Sequence, residues 1–376
     1  MLSKITNKNI ILALCSAAFF IGYFSRLSWG VLASYSSLNP TISDDSIIFS
    51  LFFIGYTIVQ LPAGFISDRI SPRFIISCAM FGVTLALGLS GIAGSVFVEM
   101  IASFLIGVTA GWVYSPTVKF IGLKFPHDRV SVAIGYYSLA WPLSMVLTGF
   151  LLPTLAAMLG WRWPYYMLAC LSFLIAISFL FVEEKGKSQD KLDLSVIREK
   201  NVILLASGEF LFFLGFWTLA LYGYLYLVSV GLTRVEAGLV YSMLAVAGLL
   251  SSPISGYVMN RFGTRNGLSG SAIMYAASLL VFSFARSFLV LLFLAAIIGF
   301  FRFIVTPSVV AAASIIGGSK KTGSVTGIAN FFAQASGAVS PPLAAVIIQK
   351  IDYGALWFAA AGLAVVASVV FYRMRV

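Results

Sequence analysis

Four ionisable side chains fall inside long apolar stretches of this sequence: Arg26, Lys119, Glu209 and Arg302. An ion in hydrocarbon surroundings is costly unless it meets a partner or a water-filled cavity, so such residues mark binding or proton-transfer chemistry. Arg26, in Tyr23-Phe24-Ser25-Arg26-Leu27-Ser28, carries a planar fork of donors that suits a carboxylate or a phosphate. It could equally be tied to another helix or be solvated by a cavity. Arg302, in Gly299-Phe300-Phe301-Arg302, has Glu209 as its best acid partner, which leaves a substrate contact and a structural ion pair both open. Lys119, after Tyr114-Ser115-Pro116, can touch a solute or snorkel to the membrane surface. Glu209 is the only acid expected within an apolar stretch. A carboxyl held there away from water can take and release a proton, and an anion arriving at Arg302 would free it to do so. The alternatives for Glu209 are hydration near the surface or permanent pairing with Arg302.

Neutral residues supplement these charges. Tyr56 and Gln60, like Asn330 and Gln334, are spaced i and i+4 and share a helix face, where they can hydrogen-bond a solute or a neighbouring helix. Tyr23, Trp29, Trp217 and Tyr222 can shape a pocket, or pack between helices and against lipid. Pro116, Pro142, Pro307, Pro341 and Pro342 each remove a backbone donor within an apolar stretch and so permit bending.

The elements that must position these residues are membrane helices. Of 376 residues, 60% are hydrophobic and 10% charged, against about 45–50% and 25% in ordinary soluble domains. Apolar runs of about 20 residues, long enough to cross a bilayer, recur along the chain. They predict spans near 10–33, 46–67, 74–95, 97–121, 130–158, 163–182, 202–230, 235–258, 266–285, 288–314, 323–348 and 354–373. The fold class is therefore an all-α polytopic membrane protein. Two six-helix bundles, 1–182 and 202–376, flank a charged linker at 183–201 expected in the cytosol. The first span lacks a small-x-small cleavage site and reads as uncleaved. With both termini cytosolic, Arg162, Arg234, Arg286 and Lys350 lie outside, Arg26 and Arg302 lie within spans, and 18 of the 24 Lys and Arg fall on the cytosolic side. An inner or plasma membrane is the expected location.

That distribution makes the net charge of +11 a topological signal, and nucleic acid is not expected as a partner. Cys15, Cys78 and Cys170 sit in apolar runs without ligand-like spacing, so neither metal nor disulfide is expected. The sole histidine is His127, in a loop, and no phosphate-cradling GxxxxGK[ST] loop occurs. An enzyme, a cofactor and ATP drive are all unsupported.

The two halves match at a shift of about 192 residues. Phe19-Phe20-Ile21-Gly22-Tyr23-Phe24-Ser25 aligns with Phe212-Phe213-Leu214-Gly215-Phe216-Trp217-Thr218; Gly107 aligns with Gly299, and Gly135 with Gly327. Gly64-x-x-x-Asp68-Arg69-x-x-x-Arg73, led by Pro62, returns as Gly256, Asn260, Arg261 and Arg265, led by Pro253. In that loop motif, in Gly160-Trp161-Arg162-Trp163 and in the Gly-rich fourth and tenth spans, the whole chain resembles the major facilitator superfamily. The departures are Ser71 for the motif's usual Gly, Pro72 for a basic residue, Asn260 for the second acid, and Ser103 for an Arg of the fourth span.

The resemblance implies a secondary transporter with a central cavity lined by the first helix of each three-helix unit, those that carry Arg26, Lys119, Glu209 and Arg302. It also implies that the loop motifs gate the cytosolic side. A carboxylate such as Asp68 can accept from Arg69 or Arg73, or sit at a neighbouring helix N-terminus, in an outward-facing state; the alternative is a topology anchor. The segment around Arg26 looks like the first span of organic-anion and sugar-phosphate transporters of this superfamily. The expected function is alternating-access transport of a small organic anion, a carboxylate or phosphorylated solute, by proton-coupled symport or by antiport, with the protein as a monomer. Efflux of hydrophobic or cationic drugs is the alternative, and a transporter-like sensor the remote one.

Overall fold

The computed structural model describes residues 5–67, 70–183 and 194–375. Twelve helices among them are long and apolar enough to cross a membrane: Lys8–Tyr35, Ile42–Gln60, Pro72–Gly91, Val96–Lys124, Val132–Leu159, Trp163–Leu180, Lys200–Ser229, Arg234–Ser251, Thr264–Phe284, Phe288–Gly318, Lys321–Lys350 and Tyr353–Tyr372. They are numbered here as spans 1 to 12. Large apolar side chains such as Leu85, Met158 and Phe284 lie on the surface, the arrangement a bilayer requires of a multi-pass membrane protein.

Local chemistry sets several ends. Asn7 caps span 1 by accepting from the Asn9 amide at 2.9 Å. Thr233 and Glu236 form a reciprocal capping box at the start of span 8. Asp352 accepts from the Ala355 amide at 2.7 Å to start span 12. Spans 10 and 11 run together as one helical stretch, Phe288–Lys350, interrupted where Gly318 takes φ 56°, a conformation that glycine adopts without a Cβ clash. Two spans break internally. The helix Val96–Ala110 gives way to Tyr114–Lys124, and His127–Ser138 to Ala140–Leu159. The breaks fall about one turn before Pro116 and Pro142, whose missing N–H groups leave the carbonyls of Trp112 and Ser138 without helical donors. Pro307, Pro341 and Pro342 are instead carried within continuous helix.

The chain divides into two compact units, Met1–Pro40 with Ile47–Lys191, and Thr41–Ser46 with Leu192–Val376. In the first unit span 3 packs on span 6, and span 1 on the second segment of span 5. Ser77 donates to the Ala176 carbonyl at 2.8 Å. A Cβ added at Gly107 would collide with the Phe52 backbone, so only glycine lets spans 2 and 4 approach this closely. Ile5 pairs with Val182 as a parallel bridge beyond the end of span 6.

In the second unit span 9 packs on span 12 and span 7 on the stretch of spans 10 and 11. Ser269 donates to the Ser368 carbonyl at 3.0 Å, and a Cβ at Gly299 would collide with the Leu244 backbone. Each of these contacts repeats one in the first unit at the same shift of 192 residues, Ser77 to Ser269, Ala176 to Ser368, Gly107 to Gly299 and Phe52 to Leu244. The repeat seen in the sequence is thus also a repeat of packing and hydrogen bonding.

Candidate functional site

In the first unit the centre of interest is Arg26, 2% exposed near the middle of span 1. Its guanidinium carbon lies 4.2 Å from the ring centroid of Tyr23 and 4.4 Å from that of Tyr56. Phe53 stands at 4.9 Å and Phe52 at 5.0 Å. Stacking of this kind is attractive because each ring face carries negative charge density, and it strengthens where water is excluded. The Tyr56 hydroxyl is in hydrogen-bonding reach of both Arg26 and Gln60. Tyr23, Arg26, Tyr56 and Gln60 are therefore brought together, and Phe52 and Phe53 complete the group. Their spacing with Phe49 and Tyr56 makes an i, i+3, i+4, i+7 aromatic stripe along span 2, a pattern visible in the sequence and overlooked there.

Trp29 lies further along span 1, edge-on to Trp161 with ring centroids 6.3 Å apart. Lys119 is half-buried in the second segment of span 4.

In the second unit Arg302 is 1% exposed and donates to the Thr306 hydroxyl at 2.8 Å, one turn along its own helix. Its guanidinium carbon is 4.0 Å from the Phe216 ring centroid and 4.5 Å from that of Phe213, with Phe303 at 5.2 Å and Phe212 at 5.8 Å. Glu209 is buried, and the charge of Arg302 acts on its carboxyl. Tyr275 of span 9, also buried, feels that charge as well, and its ring is tilted 49° against that of Phe212 with centroids 4.9 Å apart. Nothing in the sequence singled out Tyr275, whose counterpart at the repeat shift is Val83.

Trp217 donates its indole N–H to the Ala333 carbonyl at 3.0 Å, and the Tyr222 hydroxyl donates to the Pro341 carbonyl at 3.3 Å. Both pack span 7 against span 11. The Gln334 amide donates to Asn330 Oδ1 at 3.2 Å, so this pair shares a face as its spacing required.

Glu209 is not the only buried acid. Glu99, in the first turn of span 4, is 1% exposed. Its Oε1 accepts from Ser90 at 3.2 Å and from Tyr165 at 3.4 Å. The sequence reading passed over it because it stands three residues into its span, where an acid ordinarily remains at the surface. Here the Ser90 and Tyr165 hydroxyls give it partners, and the helix N-terminus favours its sign.

Of the loop-motif residues, Asp68 and Arg69 lie outside the described residues, as do the surroundings of Gly64 and the linker residues 184–193. Arg73 Nη1 donates to the Val182 carbonyl at 2.8 Å, just past the end of span 6. Its repeat counterpart Arg265 stacks on Tyr372, at the end of span 12, at 4.5 Å. Both arginines thus reach the end of the last helix of their own unit. Arg261 reaches the Tyr257 hydroxyl at 3.4 Å on the exposed side, and Asn260 and Gly256 are exposed too. Among the described residues no three His, Cys, Asp or Glu stand together as a metal site would need.

The profile of the Major Facilitator Superfamily matches residues 14–250 and 205–376. The chain is 23% identical to the "Hexuronate transporter" of Bacillus subtilis (strain 168), an alignment covering 94% of this chain and 91% of that protein. It is also 23% identical to the "Probable nitrate transporter NarT" of Staphylococcus haemolyticus (strain JCSC1435), over 68% of each. Among solved structures it is similar to a bacterial homologue of the human lysosomal transporter Spinster in an inward-facing, unoccupied conformation. The TM-score is 0.76 at 15% identity, covering 97% of this chain and 94% of that one, a likeness of fold.

Proposed function

We propose, for a chain that belongs to the major facilitator superfamily across both of its halves, that this transporter moves a small organic anion by alternating access, and that Arg26 holds the anionic group. The observation that carries the reading is the surroundings of Arg26. Aromatic rings crowd the guanidinium, and the neutral Tyr56 and Gln60 stand at its edge. The donor fork of an arginine so placed is matched to a carboxylate. The transporters named for hexuronate and nitrate, similar to this chain along most of its length, carry anions, in keeping with this choice.

Glu209 is proposed as the coupling acid. While Arg302 faces Glu209, the carboxylate has a counter-charge. When substrate anion occupies Arg302, that compensation is shared, and Glu209 takes a proton from the open side and returns it on the other. Asp68 with Arg69 and Arg73 is proposed as a gate on the cytosolic side, and both termini and the linker are proposed to be cytosolic in an inner or plasma membrane.

The testing experiment is a thermal-shift screen of the purified protein with nitrate, galacturonate, phosphate and tetraphenylphosphonium. A solute that binds only the folded state raises the melting temperature. Stabilisation by a carboxylate or nitrate that disappears in Arg26→Ala is expected. Stabilisation by the lipophilic cation alone would overturn the anion reading in favour of drug efflux.

A further inference from the structure

The scheme above gives no role to Glu99, whose partners are distinct from the Arg26 group. Its Oε1 accepts from the Ser90 and Tyr165 hydroxyls at 3.2 and 3.4 Å. Its Oε2 is shut off from solvent and has no hydrogen-bond partner among the described residues. Both bonds are long for an ionised carboxylate, which draws a hydroxyl to about 2.5–2.7 Å. Span 3 brings Ser90 and span 6 brings Tyr165. Arg162, at the start of span 6, is turned to the Ala93 carbonyl at 2.9 Å and over the Trp161 ring at 4.5 Å. Spans 1 and 2 also pack on span 4, and among the described residues they bring no charged group to Glu99. A buried anion with one bare oxygen and no counter-charge is costly, a cost that a neutral carboxylic acid avoids. Two long bonds onto one oxygen and none onto the other fit a carbonyl at Oε1 and a hydroxyl at Oε2.

The repeat shows that the scaffold does not require an acid here. At the shift of 192 residues Glu99, Ser90 and Tyr165 correspond to Leu291, Phe282 and Trp357. All three are buried, and the Phe282 and Trp357 rings meet edge-on with centroids 5.9 Å apart. Ser95 and Ser287 precede the two helices alike. One fold thus fills the same place with hydrocarbon in the second unit and with a hydroxyl-bonded acid in the first.

We propose that Glu99 is a proton-binding site of the first unit, loaded in this conformation with the proton on Oε2. Loading forms one O–H bond with a proton taken from water, and unloading returns that proton to water. Glu99 lies in the first turn of span 4, so the path to the aqueous phase is short. The helix N-terminus favours the ionised form without bonding to it, because Ser95 accepts from the Val98 amide at 3.3 Å. The acid is therefore dry enough to hold a proton and close enough to a positive helix end to release it when water enters. This site stands whether or not Glu209 is the coupling acid.

Infrared spectra of the full-length protein in lipid vesicles, without solute, test this. At about neutral pH an exposed glutamate, with a reference value of about 4.3, is ionised and shows no protonated-carboxyl band. Such a band is expected here, absent in Glu99→Gln, retained in Glu209→Gln, and lost reversibly as the pH is raised. In Tyr165→Phe it should move in frequency, because a donor to Oε1 is gone. In Tyr241→Phe, whose hydroxyl donates to the Ala220 carbonyl at 2.8 Å, it should stay in place. The absence of a Glu99-dependent band at neutral pH would overturn the proposal, as would a band that persists at every alkaline pH the protein withstands. If Glu99→Gln cannot be purified, Tyr165→Phe marks the band by its shift, and no protonated-carboxyl band that moves overturns the proposal equally. Loss of accumulation on a pH gradient in Glu209→Gln bears on Glu209 alone and leaves this result unaltered.

Discussion

The sharpest test of the site is Arg26→Lys. The substitution keeps a positive charge at the same depth in span 1 but replaces a flat, five-donor fork by a compact ammonium. Four rings lie within 5.0 Å of the guanidinium carbon. Stacked on these faces, the guanidinium can offer hydrogen bonds only from its edge, in the plane where a carboxylate sits bidentate. Lysine loses one of two parallel charge-assisted hydrogen bonds, a deficit of about 1–3 kcal/mol. That is about a 5- to 150-fold loss of affinity for the anion. The stacking, on the order of 0.5–2 kcal/mol for a desolvated pair, is partly retained because an ammonium is also drawn to ring faces. Folding should therefore be close to normal, whereas Arg26→Ala empties the group of rings and should lower the melting temperature as well. The assay is solute counterflow in proteoliposomes, with affinity from its concentration dependence and melting temperature measured in parallel. Unaltered affinity in Arg26→Lys would refute the fork argument, and normal binding and transport in Arg26→Ala would remove Arg26 from the substrate site altogether.

Glu209→Gln mimics the protonated acid, so substrate binding and counterflow should persist while accumulation driven by a pH gradient is lost; continued accumulation on that gradient alone would exclude Glu209 as the coupling site. Asp68→Asn removes the charged half of the proposed gate and should shift the resting population toward inward-facing by about 1–3 kcal/mol, about a 5- to 150-fold change in ratio. Spin-label distances across the cytosolic side should then lengthen, and unchanged distances with normal transport would leave the motif a topology anchor. A cysteine placed at Ser188, with Cys15, Cys78 and Cys170 replaced, should resist impermeant thiol reagents added outside intact cells, and ready labelling there would reverse the proposed orientation.

The scaffold was legible in the sequence because its determinants are periodic and local. Twenty-residue apolar runs report spans directly, and the shift between Gly107 and Gly299 reports a backbone contact that only glycine permits. The clusters were legible in part. Tyr56 and Gln60 could be placed on one face by spacing alone, as could Asn330 and Gln334. What surrounds Arg302 could not, because Tyr275 arrives from span 9, and no pattern within a single helix reveals which neighbour it meets. Glu99 was overlooked for a different reason. Its position three residues into span 4 gives no sign that Ser90 and Tyr165, nine and sixty-six residues away, supply hydroxyls to it. Contacts between helices distant in sequence are the information that hydropathy and spacing do not contain.

The relation between the two arginines shows how function departs from the repeat. Tyr23 and Phe216 are equivalent positions of spans 1 and 7, and each carries a guanidinium over its ring, at 4.2 and 4.0 Å. Yet the arginines are not equivalents of one another. Arg26 comes from the same helix as its ring and has Leu219 as its counterpart. Arg302 comes from span 10, with Ala110 in the corresponding place of span 4. A duplicated scaffold explains the matched serine and glycine contacts. It does not explain two charges that reach the same kind of place by different routes. Burying a charge twice, independently, against the cost of desolvation is better accounted for by a demand of function than by inheritance, a demand that the anionic solute proposed above would supply. The tyrosines and Gln60 beside Arg26, set against Glu209 beside Arg302, would then divide the work, the first unit holding the solute and the second linking it to a proton.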